Sequence, residues 1–213
     1  MHNGSAPAYS GWTGELLRAL IDDEDCLSGI TALVDDILNG RLSDLERDYI
    51  LTGTLIAGKK NNGDSVRPIA MGEAFYKLAG HYGLYLVNPK LIALLEPVQL
   101  AHSPGGPERA VHLLQSRLEL GPRDSILLKV DFTNAFNTLH RSLILRELYA
   151  RKDLSPIWRL ASWVYGSPST LLLLDNGMVS GSLLSQEGVR QGCVLAAIAT
   201  IPSTTDQSRR KTT

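Results

Sequence analysis

Lys129-Val130-Asp131-Phe132-Thr133-Asn134-Ala135-Phe136-Asn137 is the stretch on which the reading of this chain turns. An apolar run, Ile126-Leu127-Leu128, leads into it, and an aromatic side chain stands five residues after its carboxylate. The run predicts a strand ending at Asp131. A strand end can present a carboxylate together with the next residue's carbonyl, here that of Phe132. Hard divalent ions such as magnesium take oxygen ligands of that kind. The plain alternative is that Asp131 ends a strand and caps the next element.

Upstream, Thr54-Leu55-Ile56 looks extended, Lys59-Lys60-Asn61-Asn62-Gly63-Asp64 is a strong turn signal, and Val66-Arg67-Pro68-Ile69 resumes an extended run. This predicts a hairpin with Lys59 and Arg67 on its two arms. Both could converge on phosphate, Arg as a bidentate donor and Lys as a point charge, or they could be solvated lysine and arginine guarding a strand edge. Downstream, Gly188-Val189-Arg190-Gln191-Gly192 lets the backbone approach a ligand closely. Gln191 could contact a base or sugar, and an ordinary turn is the bland reading.

Around these stretches the pattern is mainly helical. Leu16, Leu17, Leu20 and Ile21 share a face, and Ile30, Leu33, Val34, Ile37 and Leu38 repeat at helical spacing. Asn39-Gly40 is a stop signal, and Ser43-Asp44-Leu45-Glu46 reads as a capping box. Further helices are expected over 72–87, from Pro89 to about Leu95, over 108–118, over 140–151 and over 156–164. Asp175-Asn176-Gly177 between two apolar runs predicts a second tight hairpin. The first ten or so residues and the polar stretch from Ile201 onward are expected to be loose.

Of the 213 residues, 44% are hydrophobic and 20% charged, which suits a globular chain. No apolar run approaches the roughly 20 residues that span a bilayer, so no membrane association is expected. The N-terminus has no secretory pattern, and Cys26 and Cys193 are too few for a disulfide framework or a zinc site. An intracellular protein is expected, with nucleus and cytoplasm equally open. Net charge is -1, but it is unevenly spread. Residues 1–50 carry 10 acids and 3 bases, whereas the rest carry 12 acids and 18 bases, a surplus suited to a phosphate-bearing partner.

The order of these segments is more specific than any one of them. Arg67-Pro68-Ile69, then Val130 to Asn137, then Gly188-Val189-Arg190-Gln191-Gly192-Cys193-Val194-Leu195 resembles the reverse transcriptase family, with the non-LTR retrotransposon branch most similar. Gly11-Trp12-Thr13 and Ala57-Gly58-Lys59-Lys60 also look like that branch, so the resemblance runs from about Gly11 to Leu195. It implies RNA-templated DNA synthesis on a DNA primer from dNTPs, with two Mg2+ ions about 4 Å apart. By position, it makes Asp131 the first catalytic aspartate and the Phe132 carbonyl its companion metal ligand. Phe136 would select against ribonucleotides, Lys59 and Arg67 would hold the triphosphate, and Gln191 and Gly192 would shape the nucleotide site.

The implied fold is α+β: a helical N-terminal extension (1–50), fingers (51–125), a partial palm (126–200) of a right-hand polymerase and a disordered tail (201–213). The chain departs from the family after Gln191-Gly192. The family's polar residue, Pro and apolar helix are replaced by Cys193-Val194-Leu195-Ala196-Ala197, and no Asp-Asp follows Leu195, where Asp206 is the one acid. The Asp-Asp pairs at 22–23 and 35–36 lie in helical contexts ahead of the hairpin. The expectation is therefore a fragment truncated within the palm, with an incomplete catalytic site. Two other readings stay open: a module that binds nucleic acid weakly, and a decayed element without function.

Overall fold

The computed structural model describes residues 6–59, 66–100, 102–130 and 135–201. Three helices open the chain: α1 (Gly14–Leu20), α2 (Glu24–Asn39) and α3 (Asp44–Leu51). Their ends obey the local chemistry. The Asp23 carboxylate accepts the Cys26 amide at the start of α2, and Gly40, at φ 61°, closes it with its N–H on the Asp36 and Ile37 carbonyls. Ser43 and Glu46 form the expected capping box of α3. Asp35 and Asp36, one of the two early acidic pairs, form ion pairs with Arg41 on the surface.

Strands β1 (Gly53–Lys59) and β2 (Val66–Met71) form the first hairpin. Next come helices α4 (Ala74–Leu95), α5 (Gly106–Leu120), the single turn α6 (Ala135–Thr138), α7 (Arg141–Tyr149) and α8 (Trp158–Tyr165), with a 3-10 turn at Lys152–Ile157 before α8. Strands β3 (Ser169–Asp175) and β4 (Met178–Ser185) form the second hairpin, and a 3-10 stretch at Val194–Thr200 comes last. Asn176 and Gly177 both have positive φ, as the tight turn demands. The chain is α+β, with one sheet in the order β2-β1-β3-β4.

The central pair, β1 with β3, is parallel and joins Gly53–Leu55 to Leu171–Leu173. The sheet therefore takes one hairpin from each side of residue 125. The core lies beside it, with α4 as its spine. Val87, Leu91 and Leu95 pack there with Ile37 of α2, Leu148 of α7, Ile157, Leu160 and Val164. Gly83 permits this close approach, since a Cβ there would stand 3.2 Å from both Leu38 and Ile157 side chains.

Four features differ from the sequence reading. Helix α4 runs unbroken through Pro89 instead of stopping before it. The burial of Val87 and Leu91 on either side holds both halves in one line, which offsets the lost backbone bond. The run 126–130 carries no strand pairing, and Ile126 is 92% exposed. A strand needs a neighbour for its backbone groups, and no described residue supplies one there. Ala8 and Ser10, expected to be loose, are held in place, while residues 1–5 lie outside the described ones: the Ser10 amide and hydroxyl both donate to the buried Glu73 carboxylate, and Ala8 is buried. Ile201, assigned to the tail, is buried in the core cluster; residues 202–213 lie outside the described ones.

Candidate functional site

The turn Gly188–Gly192 is the keystone of the site. Gly188 has φ 62° and Gly192 φ 92°, both in the region that favours glycine. A Cβ on Gly188 would fall on the Phe136–Asn137 backbone, and one on Gly192 would stand 2.9 Å from the Ala70 carbonyl oxygen. The turn is thus pressed between α6 and β2. Backbone bonds fix it: Val189 N–H donates to the Phe136 carbonyl at 2.8 Å, and Gly188 N–H to the Leu139 carbonyl at 2.9 Å. On the other side, Ala70 N–H donates to the Gln191 carbonyl at 3.1 Å.

A cleft of about 410 Å³ opens where these segments meet. Its floor is one face of the sheet, with Leu55, Pro68, Ala70, Leu171 and Leu183 drawn from all four strands. Asn137, Ser185-Gln186-Glu187 and Val189-Arg190-Gln191 form the walls. An apolar floor with amides, one carboxylate and Arg190 on its walls suits a planar or ring-bearing ligand with polar edges.

Three arginines hold the walls. Arg141 donates from Nε to the Gly188 carbonyl at 2.9 Å and from a terminal nitrogen to Ser185 Oγ at 2.8 Å. Its guanidinium lies 5.5 Å from the Tyr165 ring centre. Burial, then the nearby Arg190 charge, pulls the Arg141 pKa below the ordinary arginine range. Arg190 donates to the Leu51 carbonyl at 2.9 Å. Arg47 ties α3 to the approach of β3, donating to the Trp163, Ser167 and Pro168 carbonyls.

Behind the turn, the hydroxyls of Tyr76 and Tyr165 meet Cys193 Sγ at 2.9 and 3.0 Å. Burial first, then the Cys193 thiol, pushes both phenols well above their ordinary range, so they stay protonated. Cys26 and Cys193 are both free thiols.

The structure brings Phe136, Gln191 and the strand carrying Arg67 to one place. Phe136 is 44% exposed on α6, and Gln191 is half-buried on the cleft wall. Gly192 sits at the end of the turn, against β2. Gly58 pairs with Arg67 and Lys59 with Val66, so those two basic positions are one step out of register along the hairpin. Asp131 and Phe132 lie outside the described residues, among which no group of three or more His, Cys, Asp or Glu is placed to hold a metal ion.

Sequence reasoning missed Arg190, Arg141, Asn137 and Glu187. Arg190 had a signal, since it stands inside the glycine-flanked turn, where a large charged side chain has little room. Arg141 had none, because its partners Gly188 and Ser185 lie more than forty positions away.

No protein-family model matches the chain. Over 195 residues, 92% of its length, it is 31% identical to the Retrotransposable element SLACS 132 kDa protein of Trypanosoma brucei gambiense. This chain is related to a retrotransposable-element protein. It spans 16% of the length of that relative. No helix among the described residues is long and apolar enough to cross a membrane.

Proposed function

We propose that this retrotransposon-related chain forms the fingers and first part of the palm of a reverse transcriptase of the non-LTR type, and that the cleft takes the incoming nucleotide. One observation carries this reading. Three segments far apart in sequence, around Pro68–Ala70, Phe136–Asn137 and Gly188–Gly192, meet at a single cleft. They are the segments in which the sequence resembles that family.

In this reading the apolar floor receives the sugar and base. Gln191 fixes the nucleotide's orientation, and Phe136 opposes a ribose 2'-hydroxyl. Lys59 and Arg67 meet the triphosphate, and Asp131 with the Phe132 carbonyl would meet Mg2+. RNA template and DNA primer are the proposed partners.

Nucleotidyl transfer by two ions needs carboxylates for both. Within the 213 residues no Asp-Asp pair follows Leu195. The expected result for this chain alone is no primer extension with magnesium or manganese. Extension that disappears in Asp131→Ala would contradict it. The surplus of bases after residue 50 favours a second role in holding RNA. Binding in gel shifts should then weaken as salt rises, and further in Lys59→Ala/Arg67→Ala. Binding unchanged by that double substitution would remove the role.

A further inference from the structure

Arg190 is 8% exposed, yet it lines the cleft. Its guanidinium lies across Gly53, where a Cβ would stand 3.2 Å from Nη1. Arg141, 6% exposed, lies behind it and holds both ends of the wall segment 185–188. Neither arginine belongs to any ion pair among the described residues. Burial chiefly, and then the Arg190 charge, lowers the Arg141 pKa, while Tyr165, Glu187 and Cys193 act the other way. Lys77 lines a small recess on the far side of the same turn, again with Arg190.

Against these cations, the one carboxylate lining the cleft among the described residues is Glu187. It is exposed and stands 3.8 Å from His140 Nδ1. The two buried guanidiniums donate to carbonyls and a hydroxyl, but no carboxylate among the described residues is in contact with them, which leaves a positive potential at the inner end of the cleft. Buried cations call for an anion, and arginine matches phosphate oxygens with paired donors.

We propose that the inner end of the cleft, between Arg190 and Ser185, binds a phosphate group, with Arg190 as its donor and Arg141 as a second positive charge behind it. The subsite stands on burial and charge. It rests on the nucleotide reading only for the source of the phosphate, which a nucleoside triphosphate or an RNA backbone could bring.

The test uses the full 213-residue chain and sodium pyrophosphate, without magnesium and at constant ionic strength. Calorimetric titration should give saturable binding, and pyrophosphate should raise the melting temperature. Glu187→Gln, at an exposed position, should tighten binding about threefold by removing the rim carboxylate. Arg190→Gln, where folded, should weaken it at least about tenfold. No saturable binding by the wild type overturns the subsite, as does an affinity unmoved by Glu187→Gln. A dNTP and an RNA oligonucleotide are then used as competitors. Displacement by the dNTP alone assigns the phosphate to a nucleotide, and displacement by RNA alone assigns it to a backbone. Saturable pyrophosphate binding that neither displaces upholds the subsite and counts against the nucleotide reading.

Discussion

Gly188 does more for the site than its size suggests. Its positive φ and its contact with the Phe136–Asn137 backbone both exclude a side chain. Gly188→Ala is expected to cost about 3 kcal/mol, from backbone strain and overpacking together. Urea unfolding measures it, and a loss below about 1 kcal/mol would mean that the turn does not depend on this contact. Ser43 offers a cleaner local test. Its hydroxyl, then its amide, hold the Glu46 carboxyl below the ordinary value of 4.5. A depressed carboxylate contributes stability above its unfolded pKa and loses it as the pH falls through the folded one. Ser43→Ala should therefore return the Glu46 titration, tracked by NMR, toward the ordinary value, and should weaken the start of α3 more at neutral pH than in acid. At this scale the sequence was legible where chemistry is local. The capping box and the Asn176-Gly177 turn depend on neighbours within a few residues. Arg190 and Arg141 were not, because each answers to carbonyls or hydroxyls brought close only by folding.

Elements owe their form to burial as much as to their own residues. Pro89 predicts a break, but α4 continues because its flanks are sunk in the core. Ile126–Val130 reads as a strand, but no described residue offers it an edge to pair with. The parallel join of β1 to β3 was equally invisible, since it links residues more than a hundred positions apart. Arg47 secures this join from α3. Arg47→Met keeps the volume but removes donors from the Trp163, Ser167 and Pro168 carbonyls. It should destabilise by about 3 kcal/mol. Chemical denaturation checks this, and an unchanged midpoint would show those carbonyls to be satisfied by water.

Over the whole molecule, apolar surface is unevenly covered. One side of α4 is buried, but Tyr82, Tyr85 and Leu86 on the other are exposed. Val111, Leu114 and Leu118 of α5 are exposed as well, as are Leu183 and Leu184 on β4, which forms one edge of the sheet. Surface of this kind promotes association. Sedimentation of the 213-residue chain should show self-association that grows with concentration, and a cooperatively melting monomer at every concentration would contradict this. Three segments distant in sequence come together at the cleft. The most direct test of that cleft as a nucleotide site is equilibrium binding of a dNTP and the matching ribonucleotide to the wild type and to Phe136→Ala. The expected result is a preference for the dNTP of about tenfold in the wild type, falling to near equality in Phe136→Ala. Equal binding of the two by the wild type, or a preference that survives Phe136→Ala, would contradict the account.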